Sequence, residues 1–204
     1  MAASSRDVLA KLPGADATVR PGSGEPAGGP ISTEQVWVWL SEVMDPEIPV
    51  ISIVDLGIVR DVRRSGVDDQ RELVVTLTPT YSGCPATEVI RDDVRDVLRA
   101  HGVGKLQLRW QLSPAWTTDW LSETGRQRLL DYGIAPPARD ACSTCAVHGL
   151  DAGVAQLWRA THRVKCPHCG SARTRLVSEA GSTRCKALYV CADCREPFDY
   201  FKPH

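Results

Sequence analysis

The sequence predicts an α+β domain followed by a small β module that is held by a metal ion. Segments with helical and strand periodicity alternate in the order α-β-β-α-β-α over residues 31–134. Two CxxC pairs, CPHC and CADC, lie near the end of the chain and are separated by 21 residues. A chain of 204 residues has room for one ordinary domain and one such module.

Composition divides the chain into four regions. Residues 1–30 are rich in Pro, Gly and Ala and lack apolar periodicity, so we expect a disordered tail. The α+β domain is predicted over residues 31–134, a linker or insertion over 135–162, and the β module over 163–204.

The first element is a helix in the stretch ISTEQVWVWLSEVMDPEIPV. Ser32 and Gln35 fit a capping box, and apolar residues recur at helical spacing as far as Met44. Pro46 and Pro49 are expected to end this helix.

Three strands are predicted next. The stretches VISIVDLGIVRDVRRSG and RELVVTLTP form a hairpin that turns near Gly66–Asp69. In KLQLRWQLSP, apolar residues alternate on one side of a half-buried strand, and these are Leu106, Leu108, Trp110 and Leu112.

Two further helices follow the same reasoning. A helix over residues 85–101 has one apolar face and Gly102 as its C′ residue. The stretch TDWLSETGRQRLLDYGIAPP predicts a short helix that ends at Gly133. The helices are expected on one face of a short sheet.

The paired cysteines of the β module predict a metal site. Cys166, Cys169, Cys191 and Cys194 supply four thiolates, the closed donor set of structural Zn²⁺. A module of about 40 residues buries too little surface to fold alone, so the metal is expected to supply folding free energy. Iron in a rubredoxin-like site would use the same ligands and stays an alternative.

Two further features of the cysteine pattern are less specific. Cys142, Cys145 and His148 make CxxCxxH, three candidate ligands for a second ion, and the alternative is a flexible insertion with incidental thiols. Cys185 is interpreted as a small apolar packing residue.

Cys84, in the stretch YSGCPA, has no cysteine close to it in sequence. If a helix begins at Pro85, Cys84 is its N-cap, and the positive end of the helix dipole would lower the thiol pKa. A thiolate there suits a soft metal or an iron–sulfur cluster, and the alternative is a buried small residue. Three acidic residues are predicted turn formers that could also approach this thiol, and they are Asp45, Glu47 and Asp55.

Charge and hydropathy narrow the class of partner. The net charge of −1 argues against attraction of the whole chain to nucleic acid or to an anionic membrane. We see neither a spanning apolar run nor a secretory signal, and with the CxxC pairs this favours a cytoplasmic metal-binding protein. Residues 163–204 carry a formal +4 and four aromatic residues, which leaves a nucleic-acid-binding ribbon as the weakest alternative.

Two sets of motifs resemble one known family. DPEIPVISIVDLGIVRDV and VTLTPTYSGCPA resemble the iron–sulfur assembly domain of SufT-type proteins. CPHCGS with GSTRCKALYVCADCREPFDYFKPH is similar to the zinc-ribbon tail of the PaaD branch, the D subunits of the phenylacetyl-CoA epoxidase system. The resemblance covers residues 33–135 and 163–204.

The resemblance implies a non-catalytic accessory subunit that acts with the oxygenase or reductase of that system. Cys84 matches the family's signature cysteine, and Asp55 matches the acidic residue of its DLG motif. These two residues are therefore expected to handle iron or an iron–sulfur cluster transiently. Because one cysteine cannot complete a cluster site, further ligands would come from Asp55, from a second copy in a homodimer, or from the receiving protein. The alternative is a structural bridge between oxygenase and reductase.

Overall fold

The computed structural model describes residues 31–66, 72–138 and 164–203, and it confirms the α+β class. These ranges contain three α-helices and nine strands, arranged in sheets of two, three and four strands. Across the same ranges, we find no helix with the length and hydrophobicity needed to cross a bilayer.

Helix α1 covers Thr33–Leu40 and begins as the sequence predicts. The hydroxyl of Ser32 accepts the backbone N–H of Gln35 at 3.2 Å, and the Gln35 side chain accepts the backbone N–H of Ser32 at 2.9 Å. The predicted continuation to Met44 is wrong. The hydroxyl of Ser41 donates back to a carbonyl of the last turn at 2.6 Å, and the chain leaves the helix there.

A short hairpin, which the sequence analysis missed, follows α1. Strand β1 (Met44–Asp45) pairs antiparallel with β2 (Ile48–Ser52). The Asp45 carboxylate accepts the backbone N–H groups of the two residues after Pro46, both at 2.9 Å. Pro46 therefore lies inside a tight turn and does not terminate the helix.

The main sheet has the strand order β3-β4-β5. Strands β3 (Val59–Ser65) and β4 (Glu72–Leu77) form the predicted antiparallel hairpin, and β5 (Leu106–Trp110) runs parallel to β4. Most of the turn joining β3 to β4, residues 67–71, lies outside the described residues. Leu112 follows the end of β5 and is exposed, so its predicted place on the buried side of the strand is wrong.

Helices α2 and α3 complete the first domain. Helix α2 (Thr87–Ala100) makes the crossover that the parallel strand pair requires, and it ends before Gly102 as predicted. Helix α3 (Glu123–Asp131) follows a short 3-10 turn, and it ends before Gly133. The hydroxyl of Ser122 caps α3 by accepting a backbone N–H three residues on at 2.8 Å.

The ribbon is a four-stranded sheet of order β6-β9-β8-β7. Strands β7 (Thr174–Ser178), β8 (Lys186–Cys191) and β9 (Pro197–Phe201) are antiparallel neighbours. The fourth strand, β6 (Ile134–Ala135), follows α3 and pairs parallel with β9. The boundary that we predicted after residue 134 therefore falls inside a strand of the ribbon sheet.

The ribbon contributes a side chain to the core of the first domain. Phe201 is fully buried there, and its ring meets that of Trp116 edge-on at 5.8 Å and 68°. The indole N–H of Trp116 donates to the carbonyl of Leu56 at 2.9 Å, which satisfies the buried donor. A second, smaller core lies in the ribbon itself and consists of Ala135, Val164, Cys166, Cys191 and Phe198.

We expect Phe201→Ala to lower the free energy of unfolding by about 3–5 kcal/mol, because it removes a fully buried aromatic ring and leaves a cavity. Equilibrium urea denaturation of the zinc-loaded protein measures the change. Val177→Ala, on the exposed face of β7, is the matched control and should change the free energy by less than about 0.5 kcal/mol. Equal effects of the two substitutions would contradict the docking of β9 into the main core.

Candidate functional site

The four predicted ribbon cysteines lie together. Cys166 and Cys169 sit in the loop before β7, while Cys191 and Cys194 flank the turn between β8 and β9. The four sulfur atoms lie within 4.8 Å of one another, with Sγ–Sγ distances of 3.7 Å for Cys166–Cys194 and 3.6 Å for Cys169–Cys191. Four sulfurs placed 2.3 Å from one ion at tetrahedral angles are about 3.8 Å apart. The donor set and its spacing therefore fit a structural zinc ion.

Hydrogen bonds from backbone N–H groups favour the ionised form of Cys191. The N–H of Asp193 donates to the sulfur of Cys191 at 3.4 Å, and hydrogen bonding from the backbone of Cys194 lowers the pKa of Cys191 to about 7. The pKa of Cys194 is raised to about 12, because desolvation and the neighbouring thiols outweigh the hydrogen bond from the backbone of Glu196. A bound cation would stabilise Cys191 and Cys194 as thiolates.

Cys84 lies in the turn between β4 and α2. Our prediction that it is the N-cap of the helix is wrong, because the helix begins at Thr87 and Ala86 takes the N-cap position. The hydroxyl of Thr87 donates to the carbonyl of Cys84 at 3.1 Å, and the N–H of Cys84 donates to the carbonyl of Tyr81 at 3.2 Å. The backbone of Cys84 is thus fixed on both sides, and its side chain is half-buried.

The environment of Cys84 opposes ionisation. Desolvation raises the pKa of the Cys84 thiol, and the charges of Glu47 and Asp45 raise it further. Hydrogen bonds from the backbone of Ala86 and from the Tyr81 side chain act in the opposite direction without reversing the shift. The predicted low pKa is therefore wrong, and the thiol keeps its proton at neutral pH until a cation displaces it.

Asp55 has other partners than the predicted Cys84. One carboxylate oxygen accepts the hydroxyl of Ser122 at 2.7 Å, and the other accepts Ser52 at 3.0 Å and the guanidinium of Arg128 at 2.8 Å. Ser122 and Arg128 belong to the start and body of α3, so Asp55 fastens this helix to the loop after β2. These hydrogen bonds give a structural reason for an aspartate at this position of the DLG motif.

The glycine of the same motif also has a structural reason. Gly57 adopts φ +73°, and a Cβ added there would lie 2.5 Å from the carbonyl oxygen of Trp120. Only glycine allows both that backbone conformation and that close approach.

The carboxylates that act on Cys84 are Glu47 and Asp45 of the β1–β2 hairpin. The pKa of the Tyr81 phenol is raised to about 12 by desolvation and then by the charges of Cys84, Glu47 and Cys185. Asp45 is buried, and desolvation raises its pKa despite the two backbone hydrogen bonds that it accepts.

Cys185 combines the burial that was predicted for it with polar contacts that were not predicted. Its burial, at 4% exposure, agrees with the packing role predicted for it. Its sulfur lies 3.0 Å from the hydroxyl of Thr183 and donates to the Glu47 carboxylate at 3.7 Å, and desolvation raises its pKa to about 11. Glu47 and Cys185 are 138 positions apart, so no spacing rule could have paired them.

The remaining candidate ligands, Cys142, Cys145 and His148, lie outside the described residues. The suggestion of a second metal at this CxxCxxH stays a prediction.

Two family models match the chain. The model described as "Iron-sulfur cluster assembly protein" matches residues 33–105, which include Cys84 and Asp55. The model described as "PaaD zinc beta ribbon domain" matches residues 151–202, which include Cys185 and all four clustered cysteines.

Individual relatives match either most of the chain or about half of it. An Escherichia coli (strain K12) protein, named as the D component of a "Putative 1,2-phenylacetyl-CoA epoxidase", is 46% identical over 173 residues, covering 85% of this chain and 94% of that protein. The Porphyromonas gingivalis "Fe-S protein maturation auxiliary factor" is 36% identical over 102 residues, 50% of this chain and 90% of that protein. Among solved structures, a domain of unknown function from Bacillus anthracis is 30% identical, covers 48% of this chain and 90% of its own, and has a TM-score of 0.42.

We expect the purified protein to contain close to one Zn²⁺ per chain, and Cys191→Ala to lose it. Because binding free energy is folding free energy in such modules, the variant ribbon should also become sensitive to protease. Elemental analysis and limited proteolysis measure both effects. Cys142→Ala is the control and should keep the metal, whereas two zinc ions per chain with one lost in this control would show a second site.

The raised pKa of Cys84 predicts slow alkylation at pH 7 and a rate that still increases above pH 8.5, the ordinary pKa of a thiol. Mass spectrometry after timed exposure to iodoacetamide measures the rate at this residue. Glu47→Gln removes a negative charge that raises the pKa, so it should accelerate alkylation at pH 7. A wild-type rate that levels off below pH 8 would contradict the shift.

Proposed function

Because this chain belongs to the PaaD family of phenylacetyl-CoA epoxidase D subunits, we propose that it is an accessory subunit of such an epoxidase system in aerobic phenylacetate degradation. It assists iron or iron–sulfur maturation of a partner subunit, the oxygenase or the reductase, through Cys84. The protein is not the catalyst of the epoxidation and works in the cytoplasm, where its thiols stay reduced.

The observation that carries this proposal is the position of Cys84. It lies in the part of the chain that matches the iron–sulfur assembly family, in a turn whose preceding residues, Ser82 and Gly83, are exposed. A half-buried thiol beside an exposed turn can be reached by a partner protein. Its raised pKa disfavours a free thiolate, and metal binding releases the proton.

The ribbon has a different task in this proposal. Its four cysteines hold zinc as a closed structural site, which leaves no position for an exchanging ligand. Iron or a cluster is cargo that passes through the first domain, while zinc stays in place and maintains the ribbon fold.

The nucleic-acid alternative receives little support from the ribbon. Phe198 and Phe201, two of the aromatic residues that could stack on bases, are buried in the two cores. Arg173 pairs with Asp193, and the buried ammonium of Lys186 lies 3.7 Å from a carboxylate oxygen of Asp199. Arg173 and Lys186 are thus already paired with carboxylates, which makes these two basic groups less suited to binding phosphate.

Replacement of Cys84 tests the proposal. In a strain whose growth on phenylacetate depends on this chain, Cys84→Ser should abolish that growth, because the thiol that receives the cargo is gone. The oxygenase and reductase purified from these cells should be deficient in iron. Ser82→Ala, two residues away and exposed, is the control and should support normal growth.

The opposite outcome favours the structural bridge. If Cys84→Ser cells grow normally and their oxygenase and reductase are fully metallated, the thiol only packs. The domain and its ribbon would then serve to hold oxygenase and reductase together.

A further inference from the structure

Cys185 is not a spare ligand of the zinc site. It precedes β8, whereas Cys191 ends that strand. Six residues of extended chain span about 20 Å, so the two thiols lie at opposite ends of the ribbon sheet. Cys185 belongs instead to the core cluster of the first domain.

The ribbon holds Cys185 firmly against that domain. The backbone N–H of Lys202 donates to the carbonyl of Cys185 at 2.9 Å, directly after the anchoring residue Phe201. The antiparallel pairing of Lys186 with Phe201 continues from the same point. The docking of β9 therefore fixes the position of the Cys185 thiol.

Glu47 links this thiol to Cys84. Its carboxylate accepts the thiol of Cys185 at 3.7 Å, and its charge acts on Cys84 as well. Tyr81 hydrogen-bonds Cys84 and lies within the electrostatic range of Glu47 and Cys185. Two thiols from distant parts of the chain are thus under the influence of the same carboxylate, which Cys185 contacts directly and which acts on Cys84 through its charge.

We propose that Cys84, Cys185 and Glu47 together form a transient site for a thiophilic divalent metal ion, which the ribbon completes by supplying Cys185. The proposal deepens the proposed function, on which it rests, since it names the ligands that act with Cys84. Two thiolates and one carboxylate suit a soft or borderline ion such as Fe²⁺. Three protein ligands leave a coordination position for the receiving protein.

The charges around Cys84 and Cys185 favour the binding of a cation. Both thiols lie beside carboxylates, and Lys186 is the cation that acts on Asp45 and Cys185. Lys186 is itself engaged with Asp199. Binding of M²⁺ to the two thiols releases two protons to solvent and replaces buried neutral groups by a compensated ion pair.

Unlike the ribbon sulfurs, these three groups are not preassembled as a tight cluster. Within the described ranges, the ribbon sulfurs alone form a cluster of three or more ligands as tight as 4.8 Å. The Cys185 sulfur and the Glu47 carboxylate already lie 3.7 Å apart, and a change of one χ1 rotamer moves a cysteine sulfur by about 3 Å, so we expect rotation of the Cys84 side chain to close the site around an ion. A site that closes on its ion and reopens is suited to releasing it.

Cobalt binding to the full-length, zinc-loaded chain tests the proposal. Cys142→Ser and Cys145→Ser are included so that Cys84 and Cys185 are the only thiols outside the zinc site. Co²⁺ should produce a thiolate-to-cobalt absorption band. Cys84→Ser and Cys185→Ser should each remove about half of its intensity and weaken Co²⁺ binding by at least about tenfold.

Two further variants define the oxygen ligand. Glu47→Gln should keep the band but weaken Co²⁺ binding, while Asp61→Asn removes the same charge from an exposed position on β3 and should change neither. Zinc content and thermal unfolding by circular dichroism confirm that each variant is folded. Cys185→Ala provides an apolar substitute if the buried serine destabilises the chain.

X-ray absorption at the cobalt edge needs no substitution in the thiol pair and should count two sulfur ligands. An unchanged band in Cys185→Ser, with complete loss in Cys84→Ser, would overturn the paired site and leave Cys84 as the lone cargo thiol of the proposed function. Absence of any thiolate band in the parent would overturn the paired site, and the growth test of Cys84→Ser would still decide the proposed function separately.

Discussion

Burial of Phe201 in the core around Trp116 is the constraint on which the arrangement of this molecule depends. The ring belongs to the last strand of the ribbon, yet its surroundings belong to the first domain. Because the same strand pairs with β6 on one side and β8 on the other, its position fixes the whole ribbon sheet. The four clustered cysteines lie at the far end of that sheet, where a metal ion would stabilise it, and the phenylalanine anchors the near end.

This arrangement places chemically different thiols in different surroundings. The clustered cysteines face one another, so a single ion can bind all of them. Desolvation raises the pKa of both Cys84 and Cys185, and the charges of Glu47 and Asp45 raise it further. The fold thus separates a preassembled set of four thiols from two thiols at which a metal ion would have to displace a proton.

Local signals in the sequence were sufficient where the deciding contact lies within four residues. The capping box of Ser32 and Gln35 is such a case. Each CxxC pair is also local, and the shared preference of thiolates for one metal ion was enough to predict that the two pairs meet across more than 20 positions. The N-cap assignment of Cys84 failed because the chain makes an additional turn before the helix begins, and the proline that follows this cysteine is compatible with either start. The contact of Cys185 with Glu47 depends on the docking of two domains, which periodicity does not encode.

The parallel pairing of β6 with β9 also has a consequence for biosynthesis. Ribosomes add about 5–20 residues per second, so roughly 3–13 s separate the synthesis of residue 135 from that of residue 201. During this interval the nascent first domain exposes the apolar surface that Phe201 later covers, and a chaperone can recognise it. Cys185 is also synthesised within this interval, well after the first domain. Cargo loading that uses both thiols must therefore wait until β8 and β9 have been synthesised and have docked on the first domain.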